Sequence, residues 1–273
     1  MSAVDQLFSR LKRENKKALM PFLTAGDPNL ETTADVLRIA EEAGASLCEV
    51  GVPYSDPIAD GPVIQASYQR ALESGFRLQQ VFDLGSSMAT GTSMPLVTMV
   101  SYAIIYRIGL AEYVQRAKAA GYAGAIVPDL LVEEADPLAE ICRTEDFSLI
   151  QLVTPTTPRE RQVQIAERSS GFLYYVSVTG ITGERRELPP DLVDNVGWLR
   201  EQTDLPICIG FGISGPDTAA QLAPVADGLI VGSALVRRVA EAETREAATA
   251  TAKTFIQELR QAIDASTTST PAT

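Results

Sequence analysis

The chain has 273 residues, 45% hydrophobic and 21% charged, with a formal net charge of −12 and no histidine. That length suits the roughly 250 residues of an α/β barrel, and no apolar run approaches the roughly 20 residues that cross a bilayer. The acidity argues against a polyanionic nucleic-acid partner, which needs clustered Lys and Arg, and the missing histidine removes Ser-His-Asp chemistry, His-ligated zinc and imidazole acid–base catalysis together.

The first 17 residues are polar and charged, without an apolar signal core, so a cytoplasmic location is expected. Within them Val4, Leu7, Phe8 and Leu11 share one helical face, which predicts a helix closing the base of a barrel. Short, nearly continuous apolar runs then recur at 18–26, 46–53, 95–101, 124–130, 147–155, 172–178, 206–213 and 227–235. Such runs suit strands of a parallel sheet covered on both faces. Segments with helical spacing lie between or after them at 31–43, 110–120, 133–143, 158–167, 191–202 and 244–264, with Pro158 placed for a first turn and Gly44 and Gly121 just past helix ends. Eight βα units without a linker predict one domain over 1–264, a (β/α)8 barrel rather than an open doubly wound sheet, followed by a Ser/Thr/Pro-rich tail, 265–273, expected to be disordered. Cys48, Cys142 and Cys208 fall inside apolar patterns and read as buried small hydrophobes.

In such a barrel the C-terminal ends of the strands face the active site. Glu49 stands in the second apolar run, where burial disfavours its charged form; a structural glutamate with a backbone or Tyr partner is the alternative. Asp60 follows in a turn-rich loop, and two carboxylates in different surroundings can divide proton transfer from charge stabilisation without a metal. Asp56, before Pro57, suits a cap or a partner contact. Glycine-rich stretches follow the last three strands, Gly180 to Gly183, Gly210 to Ser214 and Val231 to Ala234, and backbone amides there make an anion site. Phe22, Val100, Val127, Tyr174 and Phe211, near strand ends, could form a slot for a flat aromatic group or simply pack the core. Lys12, Lys16, Lys17, Lys118 and Lys253 all lie away from strand C-terminal ends, which disfavours Schiff-base chemistry.

The string CEVGVPYSDPIADGPVIQ, Cys48 to Gln65, closely resembles the defining motif of the tryptophan synthase α subunit family. The resemblance runs from Val4 to Asp264 through PFLTAGDP, PDLLVEE, LVTPTTP, GITG and IGFGIS. It implies retro-aldol cleavage of indole-3-glycerol phosphate to indole and glyceraldehyde 3-phosphate, without metal or organic cofactor in this chain. It implies that Glu49 protonates C3 of the indole and later takes the glycerol hydroxyl proton, that Asp60 accepts the indole N–H, and that Tyr174 helps hold Glu49. Thr182 would bond Asp60 on closure of the sixth loop, and Gly183, Gly212, Gly232 and Ser233 would cradle the phosphate. Pro53 and Asp56 match contacts with a pyridoxal-phosphate-bearing β subunit, in an α2β2 complex that receives indole through a tunnel. A stand-alone indole-glycerol phosphate lyase, another phosphate-binding barrel such as an isomerase, and a weakly catalytic activator of a β subunit are the competing readings.

Overall fold

The computed structural model describes residues 1–57, 60–177, 190–210 and 212–268. Nine strand segments form one parallel sheet: β1 Ala18–Thr24, β2 Cys48–Gly51, β3 Leu96–Met99, β4 Tyr122–Ile126, β5 Ser148–Ile150, β6 Leu152–Val153, β7 Leu173–Val176, β8 Ile207–Gly210 and β9 Gly228–Val231. Their order is β5-β4-β3-β2-β1-β9-β8-β7-β6. β5 and β6 are two halves of one strand on either side of Gln151: the N–H of Val127 donates to Ile150 O on one edge, and that of Tyr174 to Gln151 O, 3.1 Å away, on the other. The two ends of the order are thus consecutive in the chain, and the sheet closes as the expected eight-stranded (β/α)8 barrel.

The strand side chains alternate between two apolar layers, as a closed barrel requires. Met20, Phe22, Leu47, Val97, Met99, Ile126, Ile150, Phe172, Tyr174, Cys208 and Ile230 fill the interior. Leu19, Leu23, Cys48, Val50, Ala125, Leu149, Leu173, Ile207 and Leu229 face the surrounding helices. Helix α1, Ala3–Arg13, plugs the lower end, as its apolar face predicts. It is started by a reciprocal cap between Ser2 and Asp5, its Phe8 ring lies 5.6 Å from that of Phe172, and the Ser2 hydroxyl meets that of Ser148 at 2.7 Å.

The outer ring comprises α2 Leu30–Glu42, α3 Pro62–Glu73, α4 Gln79–Met88, α5 Tyr102–Ile108, α6 Leu110–Ala119, α7 Asp136–Thr144, α8 Arg159–Arg168, α9 Pro190–Arg200, α10 Pro216–Leu222, α11 Ser233–Ala240 and α12 Arg245–Thr268. Helices α3, α4, α5, α10 and α11 are additions to the expected set. The eighth apolar run, 227–235, is in fact β9 followed at once by α11, with Gly232 between them. The last helix runs four residues past its expected end: the Ser266 hydroxyl donates to Ile263 O, and that of Thr267 to Ile263 O and Asp264 O, so Ser and Thr there satisfy the helix's own carbonyls. The expected disorder over 265–273 therefore gives way to helix as far as Thr268; 269–273 lie outside the described residues. All three cysteines are buried and unpaired, and no described helix is long and apolar enough to cross a membrane.

Candidate active site

At the C-terminal mouth of the barrel lies a cavity of about 520 Å3, walled by Phe22, Glu49, Ile64, Met99, Tyr174 and Ile230 and rimmed by Asp60, Gly212 to Ser214, Gly232 to Ala234, Arg237 and Arg238. Strand register builds its floor: Phe22 on β1 stands opposite Glu49 on β2, and Tyr174 on β7 opposite Cys208 on β8. Two glycines make room for the rings. A Cβ on Gly51 would lie 2.4 Å from the Phe22 ring, and one on Gly210 would lie 2.2 Å from the Tyr174 hydroxyl.

Glu49 is fully buried, and neither carboxyl oxygen has a hydrogen-bond partner among the described residues. Burial therefore pushes its carboxyl well above the usual carboxylate range, and the group keeps its proton where an ordinary glutamate is ionised. Tyr174, expected to help hold Glu49, makes no hydrogen bond to it; both groups line the same cavity, and the charge of Glu49 joins burial in raising the Tyr174 phenol. Asp60 is half-buried at the rim, its backbone held by Pro57 O and by the Gln65 amide, 2.8 Å from Asp60 O. Burial first, then the negative charge of Asp129, pushes its carboxyl up to about 6.

A smaller cavity of about 310 Å3 shares Asp60 and Met99 with the first and extends past Tyr68, Val100 and Ser101 to Tyr54, Asp56, Pro57 and Asp129. Asp129 accepts hydrogen bonds from the Ser101 hydroxyl and the Tyr102 N–H, both 2.7 Å, so it ties the start of α5 to the loop after β4.

The end of the cavity expected to take an anion is built from backbone. Gly212 has φ +79°, a conformation that glycine adopts without strain, and α11 starts behind Gly232 with no side chain capping its first N–H groups. Loops after the last two strands together with the N-terminus of a short extra helix are the usual phosphate site of this barrel.

Of the sequence-derived candidates, Glu49, Asp60, Tyr174, Phe22, Gly212, Gly232 and Ser233 converge on the main cavity. Val127 does not: it belongs to the layer under the helices, and its neighbour Ile126 points into the barrel. Val100 also packs in that outer layer and reaches only the smaller cavity. Asp56 is exposed beside that cavity, while Pro53 is buried. Thr182, Gly183 and Phe211 lie outside the described residues. Ile64, Met99, Tyr68, Asp129, Arg237 and Arg238 are additions; Ile64 and Tyr68 are four apart on one face of α3, a spacing visible in the sequence once that helix is placed.

Residues 8–264 match the family model described as tryptophan synthase alpha chain. The chain belongs to that family. The tryptophan synthase alpha chain of Rhodopirellula baltica is 67% identical, over 97% of this chain and 100% of that one, and that of Synechocystis sp. 47% identical, over 96% and 100%. Among solved structures, tryptophan synthase subunit alpha from Legionella pneumophila superposes with a TM-score of 0.88 at 36% identity, covering 97% of this chain and 99% of that one. A chain of Mycobacterium tuberculosis tryptophan synthase in an aminoacrylate- and BRD0059-bound form gives 0.86 at 29%, covering 96% and 98%. Membership makes the chain the lyase component of a tryptophan synthase.

Proposed function

We propose that this chain cleaves indole-3-glycerol phosphate to indole and glyceraldehyde 3-phosphate, with Glu49 as proton carrier and Asp60 as electrostatic partner. The observation that carries the assignment of roles is the buried, unpartnered carboxyl of Glu49 facing the same cavity as Asp60 and the backbone cradle. With the phosphate at Gly212, Gly232 and Ser233, the indole lies in the apolar part of the cavity beside Phe22, Ile64, Met99 and Ile230. Because Glu49 retains its proton, it serves as general acid and delivers that proton to C3 of the indole. The ring becomes an iminium cation, and Asp60, ionised above about pH 6, accepts its N–H and offsets the new charge in a site with little water. Glu49, now a carboxylate, takes the proton of the glycerol hydroxyl next to C3. The new C=O forms as the C–C bond breaks, its electron pair returns aromaticity to the indole, and Glu49 is again protonated. Every atom and charge is accounted for without a metal, and no lysine is among the described residues lining the cavity.

The partner in this reading is a tryptophan synthase β subunit in an α2β2 complex, which carries the pyridoxal phosphate. The smaller cavity supports it, since it leads from Asp60 out to Asp56, and the segments that follow Ser101 and Asp129 present Tyr106 and Leu131, 72% and 54% exposed. Large exposed apolar side chains of this kind favour a protein surface. The cytoplasm, where the substrate would be made, is the matching compartment.

Indole release from indole-3-glycerol phosphate by wild type, Glu49→Gln and Asp60→Asn, each with and without β subunit, tests the reading. Activity that rises with β and falls by about two orders of magnitude or more in both variants is the expected result. Full activity without β would favour a stand-alone lyase, and no cleavage in either condition would overturn the reaction.

A further inference from the structure

A phosphate ester brings about two negative charges at neutral pH into a chain of net charge −12, and into a cavity that already holds the Asp60 carboxylate. The cradle of Gly212, Gly232 and Ser233 meets it with neutral atoms, aided by the partial positive charge at the start of α11. Among the described residues two full cations line the cavity beside them, Arg237 and Arg238, and the fold treats them differently. Arg238 is committed to the protein: its Nη1 donates to Ala234 O at 2.8 Å, and its guanidinium lies 3.9 Å from the centre of the Phe255 ring. Arg237 is exposed, and among the described residues it has no side-chain hydrogen bond, ion pair or ring partner. What distinguishes Arg237 from other exposed arginines is its place: among the described residues it is a cation on the rim of this cavity that no protein group neutralises.

Position gives it a target. Arg237 follows Ser233 by four residues in α11, so the two share one face of the helix. Side chains on a helix lean toward its N-terminus, which aims the long arginine at the end where Gly232 and Ser233 lie. We infer that Arg237 is a substrate-binding residue whose guanidinium pairs with the phosphate oxygens left facing solvent by the backbone cradle. It selects phosphorylated over neutral indole-glycerol substrates. The inference rests on the phosphate-ester reading above and adds to it a side-chain cation that the glycine motifs do not contain. A guanidinium supplies two parallel donors to a phosphate, whereas Lys supplies a point charge.

Binding of glycerol 3-phosphate to the full chain, by calorimetry at low and high salt, tests it with wild type, Arg237→Gln and Arg237→Lys. Cleavage kinetics on indole-3-glycerol phosphate and binding of free indole run in parallel. For Arg237→Gln we expect glycerol 3-phosphate to bind about tenfold more weakly, KM to rise by a similar factor while kcat stays within about twofold of wild type, and indole affinity to stay unchanged. Arg237→Lys should recover part of the loss, and the gap between wild type and Arg237→Gln should narrow as salt screens the exposed pair. Because the side chain is exposed, unchanged thermal unfolding of both variants is expected. Equal affinity of wild type and Arg237→Gln for glycerol 3-phosphate overturns this inference alone. A wild type that does not bind glycerol 3-phosphate overturns the phosphate reading and this inference with it.

Discussion

Asp129 and Asp60 share the wall of the smaller cavity, and the negative charge of Asp129, added to burial, helps hold the Asp60 carboxyl at about 6. Asp129 is fixed there because its two oxygens accept from the Ser101 hydroxyl and the Tyr102 N–H. A residue with no place in the main cavity thus adjusts a group that has one.

The consequence is measurable as a pH profile. Asp60 acts as an anion, so cleavage should fall as pH drops through about 6. Asp129→Asn removes the neighbouring charge while keeping an oxygen that can accept at the start of α5. The acidic limb of kcat/KM should then move to lower pH, though not to the ordinary aspartate range, because burial, the larger cause, remains. A limb that stays in place in Asp129→Asn would show that the two carboxylates are not coupled.

Tyr174 is held by shape. Its hydroxyl and the ring atoms Cε1 and Cζ lie 2.2, 2.5 and 2.5 Å from where a Cβ on Gly210 would be. Gly210→Ala must therefore push the ring across the cavity floor that it shares with Glu49. Expected are a loss of stability of ~1–3 kcal/mol and at least a tenfold fall in cleavage. Tyr174→Phe in the Gly210→Ala background removes the closest contact and should return part of the stability. Denaturant unfolding of the two single variants and the double variant checks this, and simple additivity would show that the ring does not meet the new methyl group.

The barrel was legible because its strands are buried on both faces, so each reads as an unbroken apolar run, and Glu49 was legible because it interrupts one. The same continuity hid other features. Where β9 meets α11 with only Gly232 between, apolar residues continue from strand into helix, so the run overreaches the strand's end and hides the helix, although the glycine itself is visible. An unbroken run also carries no parity: Val127 and Ile126 look alike in sequence, and a one-residue step sends one to the outer layer and the other into the barrel. The break at Gln151 divides the fifth run although the residue itself is buried. Arg237 was illegible for a different reason, since its meaning depends on Arg238 being occupied by Ala234 and Phe255, which only the packed structure shows.

Glu49 sets activity against stability. Its folded-state carboxyl titrates well above that of the unfolded chain, where a glutamate has its ordinary value near 4.5. Between those two values the unfolded chain has released the proton while the folded chain still holds it, so raising pH through the window favours unfolding. The cost is absent below the unfolded value, grows across the window and is complete above the folded value. Glu49→Gln keeps the shape without the titration. At pH 7 to 8 its Tm should exceed that of wild type by about 2–6 °C, the size expected when a strained active-site group is relieved in a domain of this length. The difference should shrink as pH is lowered toward 4.5. Thermal unfolding of both proteins across that range gives the answer: a gap that does not vary with pH would mean that the carboxyl of Glu49 is not held protonated by burial, and the general-acid role assigned to it would lose its physical basis.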